Sequence, residues 1–155
     1  MTMRQEIKFK LNGEAIPLEV NPNEVLLEVL RDRLGAKSPK CGCDKGDCGT
    51  CTVMINGKTV RSCLVLAIEV DGQEVITLEG LMDSGLTPLQ KSFIKHNSFQ
   101  CGFCAPGMIL SATELLAKNS KPNEKEIQEA LSGNLCRCTG YIPIIDAITD
   151  LIEKR

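Results

Sequence analysis

Tryptophan is absent from the 155 residues, and the only other large rings are one tyrosine and four phenylalanines. A core with so few rings relies on aliphatic burial, and small units of that kind often take further support from metal or disulfide. Blocks of like charge are also absent. Eighteen basic residues oppose 20 acidic ones for a net charge of −2, which favours neither nucleic acid nor an anionic membrane as a partner. No run approaches the roughly 18 apolar residues of a membrane span, and Met1-Thr-Met-Arg-Gln-Glu-Ile-Lys-Phe-Lys has no apolar leader core. A soluble, cytoplasmic chain is expected. Its 43% hydrophobic content supports a packed core, in one ordinary domain or two small ones.

What the chain does have is cysteine, nine in all. An odd count without a leader argues against a secreted disulfide framework and for metal ligation in a reducing compartment. Four of them fall in Cys41-Gly-Cys-Asp-Lys-Gly-Asp-Cys48-Gly-Thr-Cys51. Without Cys41, the set Cys43, Cys48 and Cys51 reads C-x4-C-x2-C with Cys63 downstream, the ligand spacing of a plant-type [2Fe–2S] site. Four thiolates around such a centre leave net negative charge, which backbone N–H groups can satisfy if the chain curls tightly. Gly42, Gly46 and Gly49 give the loop that freedom. The spacing implies an electron carrier.

From the N-terminus, Ile7, Phe9 and Leu11 alternate with lysines, and Ile16, Leu18 and Val20 alternate beyond the turn signal Asn12-Gly13, predicting a β-hairpin. Asn21-Pro22-Asn23-Glu24 has the form of a capping box with proline at the first helical position, followed by Leu26, Leu27, Leu30 and Leu34 at helical spacing. After the cysteine loop, Val53 and Ile55 lead to a second turn at Asn56-Gly57, Val60 lies on the return strand toward Cys63, and Val75-Ile-Thr-Leu78 reads as a last buried strand. This order describes a small sheet crossed by one helix, compatible with a β-grasp ferredoxin unit.

Between Leu78 and Gly85 the pattern changes, and helical periods follow. Leu89 and Phe93 follow Pro88; Ile109, Ala112, Thr113 and Leu116 follow Pro106; Ile127 and Leu131 follow a capping box at Asn123 to Glu126; Ile144, Ile148 and Leu151 or Ile152 follow Pro143. Four short helices suggest a bundle. The expected organisation is α+β: residues 1–79 form a plant-type ferredoxin-like unit and residues 80–155 an all-α four-helix [2Fe–2S]-binding unit. Cys101-Gly-Phe-Cys104 stands before the Pro106 helix, and Cys136-Arg-Cys138 stands between the third and fourth helices. They make a second plausible four-thiolate site, close to a helix N-terminus whose dipole favours an anion.

Three segments resemble the signatures of a known family, the iron–sulfur subunit of the molybdenum hydroxylases, or xanthine oxidase family. They are Gly42-Cys-Asp-Lys-Gly-Asp-Cys-Gly-Thr-Cys-Thr-Val53, Gln100-Cys-Gly-Phe-Cys-Ala-Pro-Gly-Met108 and Gly133-Asn-Leu-Cys-Arg-Cys-Thr-Gly-Tyr141. Order and separations match, Leu78-Glu-Gly80 and the terminal helix fit as well, and the resemblance covers nearly the whole chain.

The resemblance implies an electron-transfer subunit of an oxidoreductase complex, with no substrate-converting site of its own. By it, Cys43, Cys48, Cys51 and Cys63 hold the cluster nearer the electron exit, and Cys101, Cys104, Cys136 and Cys138 hold the one nearer the molybdenum. Gln100 matches a residue that bonds the pterin, and Cys138 matches a ligand beside the pterin amino group. Electrons would run from molybdopterin, as its cytosine dinucleotide on a large subunit, through both clusters to FAD on a medium subunit, in a heterotrimer or a dimer of heterotrimers. Because the sequence ends at Arg155, the molybdenum and flavin domains are expected on separate chains.

Two positions depart from the family pattern. Ala105 stands where threonine is usual, and Cys41 stands where a non-cysteine is usual. Read from residues alone, Cys101 to Cys104 could be a thioredoxin-like dithiol, or could pair with Cys48 to Cys51 as a zinc ribbon. The separation is long for a ribbon, no βα unit leads into Cys101, and zinc would leave five thiols unused. A free-standing two-cluster ferredoxin is the other alternative. Cys41 reads as a spare thiol, His96 as a surface residue at a helix end, Tyr141 as filler and Arg137 as a partner contact.

Overall fold

In the computed structural model, which describes residues 4–82 and 85–154, the N-terminal alternation forms the hairpin β1 (Gln5–Leu11) and β2 (Glu14–Val20), paired in register from Gln5 opposite Val20 to Leu11 opposite Glu14. The outer bounds of the expected units, at residues 1 and 155, lie outside the described residues, as do Asp83 and Ser84 within the change of pattern after Leu78. Ile7 and Phe9 face inward and are buried while the lysines between them stay in water, as a period of two requires.

The next helix starts later than the sequence suggests. Asn21 to Glu24 makes a turn, with the Glu24 N–H donating to the Asn21 carbonyl and the Asn21 N–H donating to the Glu24 carboxylate. Helix α1 begins only at Leu26 (Leu26–Glu28) and continues as the π-helical turn Val29–Arg33. One half of a capping box, the glutamate accepting the asparagine's N–H, is therefore present, but Val25 bridges to Leu66 in extended conformation and delays the helix. Tertiary pairing overrides the local start signal.

Strands β3 (Thr52–Ile55) and β4 (Lys58–Arg61) form the second hairpin, and β5 (Glu74–Ile76) completes a five-stranded sheet of order β2-β1-β5-β3-β4. β5 runs parallel to β1 and antiparallel to β3. It ends before the expected Leu78, which instead opens a 3₁₀ turn (Leu78–Leu81). α1 and its π-helical continuation cover one face: Leu26, Val29 and Leu30 pack with Phe9, Val20, Val53 and Val75 in one core.

Four helices follow: α2 (Pro88–Lys95), α3 (Ala105–Lys118), α4 (Glu124–Leu131) and α5 (Ile142–Glu153). Thr87 caps α2 and Asn123 caps α4, each through a reciprocal capping box. Phe93, Met108, Ile109, Ala112, Ile127, Leu131, Ile144 and Ile148 form a second, separate core. Among the described residues no helix is long and apolar enough to cross a membrane.

The joint between the two cores is polar. The Glu79 carboxylate accepts from the backbone N–H groups of Lys37 (2.9 Å) and Ser38 (2.8 Å), from the Thr77 hydroxyl (2.6 Å) and from the Ser38 hydroxyl. Glu114 of α3 accepts from the Thr59 N–H at 2.7 Å. Glu114 thereby ties the helical unit to the β3–β4 hairpin, while Glu79 ties the end of the sheet unit to the chain leading into the cysteines.

Candidate metal centres

The first cysteine loop is anchored before it begins. Arg31, on the π-helical turn, donates to the carbonyls of Lys37 (3.2 Å) and Pro39 (2.6 Å), and Glu79 holds the N–H groups between them. From there the Lys40 N–H donates to the Thr50 carbonyl at 2.9 Å, and the Thr50 hydroxyl donates back to the Lys40 carbonyl at 3.0 Å. The two ends of the loop are pinned together, so the residues between them must curl. Gly46 and Gly49 do so with positive φ, whereas Gly42 has ordinary φ and is needed for space, since a Cβ there would lie 2.9 Å from the Cys48 sulfur.

The curl brings Cys43, Cys48, Cys51 and Cys63 together in two pairs. The Cys48 N–H donates to Cys43 Sγ at 3.4 Å, and the Cys51 and Cys63 sulfurs lie 3.3 Å apart. The second pair is buried against Leu27 of α1; Cys43 and Cys48 are half-exposed. The surroundings act on the thiols accordingly. N–H groups of Cys48 and Lys45 pull Cys43 down to about 7, while burial, then the neighbouring Cys51 thiol, pushes Cys63 up to about 11. Cys41 is exposed; slight desolvation, then the nearby Asp44 and Cys43, raise its thiol.

The second set is assembled from chain ends that are distant in sequence. Cys101 and Cys104 immediately precede α3, and Cys136 and Cys138 lie between α4 and α5. Cys101 and Cys138 are exposed with sulfurs 3.8 Å apart; Cys104 is buried and faces Cys136. Burial and then the Cys136 thiol push Cys104 up to about 12. Cys136 is also desolvated, yet the Thr139 hydroxyl, 3.2 Å from its sulfur, and the N–H groups of Cys138 and Thr139 win and lower it. Among the described residues no three His, Cys, Asp or Glu side chains converge on one ion position. Two pairs per site suit a two-iron centre, in which each iron takes two thiolates.

Around this set several residues have tasks that spacing did not reveal. Tyr141, with φ of 69° at the start of α5, accepts through its hydroxyl from the Cys136 N–H at 3.0 Å and donates to the Asn134 carbonyl at 2.9 Å. It braces the cysteine loop, where the sequence suggested filler. Gln100 is exposed and donates to the Cys138 carbonyl at 3.1 Å. Ala105 opens α3 directly after Cys104, and no side chain caps that helix. Arg137 is exposed, and His96 sits at the end of α2 with Nε2 3.3 Å from Asp150. Arg31, Glu79 and Asn134 had no spacing signal; Glu79 and Asn134 fell only within segments quoted for the resemblance.

A sheet unit and a helical unit, each with a loop-borne cysteine quartet, define a two-domain iron–sulfur protein. Residues 9–81 match the family model for a 2Fe-2S iron-sulfur cluster binding domain, and residues 77–149 match that for a [2Fe-2S] binding domain. The chain is 47% identical to the nicotine 6-hydroxylase small subunit of Paenarthrobacter nicotinovorans, over 95% of this chain and 89% of that one. It is 48% identical to the nicotinate dehydrogenase small FeS subunit of Eubacterium barkeri, over 96% and 95%. Among solved structures, quinoline 2-oxidoreductase from Pseudomonas putida 86 superposes with a TM-score of 0.92 at 44% identity, covering 97% of this chain and 94% of that one. The chain belongs to the iron–sulfur small subunits of the molybdenum hydroxylases, the xanthine oxidase family.

Proposed function

We propose that residues 1–79 and 80–155 each hold one [2Fe–2S] cluster and that the chain carries electrons between a molybdopterin-binding large subunit and an FAD-binding medium subunit. Each cluster supplies a one-electron store when bound. Cys43, Cys48, Cys51 and Cys63 are the ligands of the sheet unit, and Cys101, Cys104, Cys136 and Cys138 those of the helical unit. The observation that carries this is the pairing of thiols in both quartets, with one pair more deeply placed than the other in each: Cys51 and Cys63 are buried, and buried Cys104 faces half-buried Cys136.

The chain's own residues have separable tasks. N–H groups of Lys45 and Cys48 at one site, and of Cys138 and Thr139 at the other, favour thiolate over thiol. Leu27 and the bundle core keep water from Cys51, Cys63 and Cys104. The exposed rim of the helical site, with Gln100, Cys138, Phe103 and Ile142, faces the molybdopterin chain, whose pterin, as the cytosine dinucleotide, meets Gln100 and Cys138. The Cys41 to Thr50 loop faces the flavin chain. Assembly is a heterotrimer or a dimer of heterotrimers, in the cytoplasm, where thiols stay reduced.

The test is anaerobic purification with natural partners, iron analysis, and electron paramagnetic resonance after dithionite. About four irons per chain and two distinct signals are expected, with molybdenum and flavin co-purifying. Gln100→Ala should keep both signals and slow cluster reduction by the molybdenum centre. One signal, or zinc in place of iron, overturns the reading.

A further inference from the structure

Asn134 lies two residues before Cys136, is 1% exposed, and has both polar side-chain atoms engaged. Its Oδ1 accepts from the Ser111 hydroxyl of α3 at 2.8 Å, and its Nδ2 donates to the Gly49 carbonyl at 3.0 Å and reaches Thr52 Oγ1 at 3.2 Å. One amide from the second cysteine loop therefore grips α3 on one side and the first cysteine loop on the other. A buried amide satisfied from both sides tolerates only one arrangement of its partners.

The surroundings close on the same point. The Leu135 N–H donates to the Cys48 carbonyl at 2.9 Å, so a residue next to one proposed ligand is bonded to the backbone of another. Arg61 spans the contact, donating to Thr52 Oγ1 at 2.9 Å and to the Gly133 carbonyl at 2.5 Å. Two glycines leave no slack. Gly49 has φ of +74°, and a Cβ on it would overlap the Gly133 carbonyl; one on Gly107 would overlap the Gly49 carbonyl and lie 2.6 Å from Asn134 Nδ2.

We propose that Asn134 is a positioning residue that sets the separation and relative orientation of the two cysteine sites, holding the Cys48 to Leu135 hydrogen bond in register between them. The proposal rests on the two-cluster reading. Electron exchange between two sites weakens steeply as the gap widens, and so does magnetic coupling between two reduced clusters. A clamp at this point acts on the relation between the sites and leaves the ligands of each untouched.

The experiment compares the anaerobically purified complex with its Asn134→Ala, Ser111→Ala and Ile127→Ala forms, by iron content, thermal midpoint and low-temperature resonance of the fully reduced samples. The unaltered protein should give two signals with mutual splitting. Asn134→Ala should keep the iron and both signals and lose most of the splitting; Ser111→Ala, which removes only the α3 anchor, should lose part of it. Ile127→Ala, in the bundle core, should lower the midpoint and leave the splitting intact. If Asn134→Ala does not accumulate, the Ser111→Ala result decides. Full splitting in both clamp variants, or none in the unaltered protein with both signals present, overturns the clamp. A single signal in the unaltered protein overturns the two-cluster reading instead.

Discussion

The two cysteine quartets hold the same number of thiols, but they are built from the chain in opposite ways. Three members of the first lie within one loop, which Arg31, Glu79 and Thr50 have already shaped before any metal arrives. The second exists only once α3 and the loop between α4 and α5 have been packed together by the bundle core. Hydrogen bonds in and around one loop make the first site, and the packing of helices makes the second. The pairs differ accordingly: Cys51 and Cys63 are 12 positions apart, Cys101 and Cys138 are 37 apart.

That contrast is broken most directly by removing one buried thiol from each site. Cys51→Ser and Cys104→Ser should each cost about half of the roughly four irons and one resonance signal, leaving the other. Losing the second site should also cost more stability. A metal clip closing the longer loop restrains the unfolded chain more, by about 1 kcal/mol for these spans. Denaturant midpoints of the two iron-loaded variants check the difference, and equal midpoints would count against it.

The two cores sharpen the same comparison. Phe9→Ala removes a ring from the sheet-unit core, and Ile148→Ala opens the bundle core; each should destabilise by about 3 kcal/mol. Because the first loop is pinned by the hydrogen bonds of Arg31, Glu79 and Thr50 and not by the Phe9 ring, Phe9→Ala should weaken its own site only modestly. On mild heating Ile148→Ala should release iron from the second site well before the first, both sites staying loaded at low temperature, as iron retained per chain will show.

Glu79 holds the chain leading into the first cysteine loop and gives that anchor a pH dependence. Burial opposes its charge, but the hydroxyls of Ser38 and Thr77 and nearby N–H groups prevail, holding the carboxyl at about 2 against an ordinary 4.5. With the folded value below the unfolded one, its stabilisation is complete above about 4.5 and is lost as pH falls toward about 2. Allowing for solvent screening at this partly exposed site, the loss is on the order of 1 kcal/mol. Glu79→Gln should flatten that acid limb in urea titrations, while neutral-pH iron content stays the same.

The relation between sequence and structure divides along the same line. The hairpins, the four bundle helices and the grouping of the cysteines were legible because alternation, helical period and ligand spacing are local signals. Glu79 and Asn134 gave no such signal, because a polar side chain acquires its partners only when distant segments meet: Ser38 for one, Gly49 and Ser111 for the other. Spacing prefers Cys43 to Cys41, whereas the bracing hydroxyl of Tyr141 followed from a backbone conformation that no pattern announces.

The two capping-box sequences measure this limit at the smallest scale. Asn123 and Asn21 are each followed three residues later by glutamate, and each glutamate accepts its asparagine's N–H. Only Asn123 has a helix behind it, with its side chain accepting from the Glu126 N–H at 3.1 Å. At Asn21 the pairing of Val25 with Leu66 postpones the helix, so the same residues close a turn instead. Asn123→Ala should therefore cost about 1 kcal/mol. Asn21→Ala, which removes no cap, should stay within about 0.5 kcal/mol. Thermal midpoints of the two variants make the comparison, and a larger loss at Asn21 would mean that the turn, and through it the placement of α1 against Cys51 and Cys63, depends on that side chain after all.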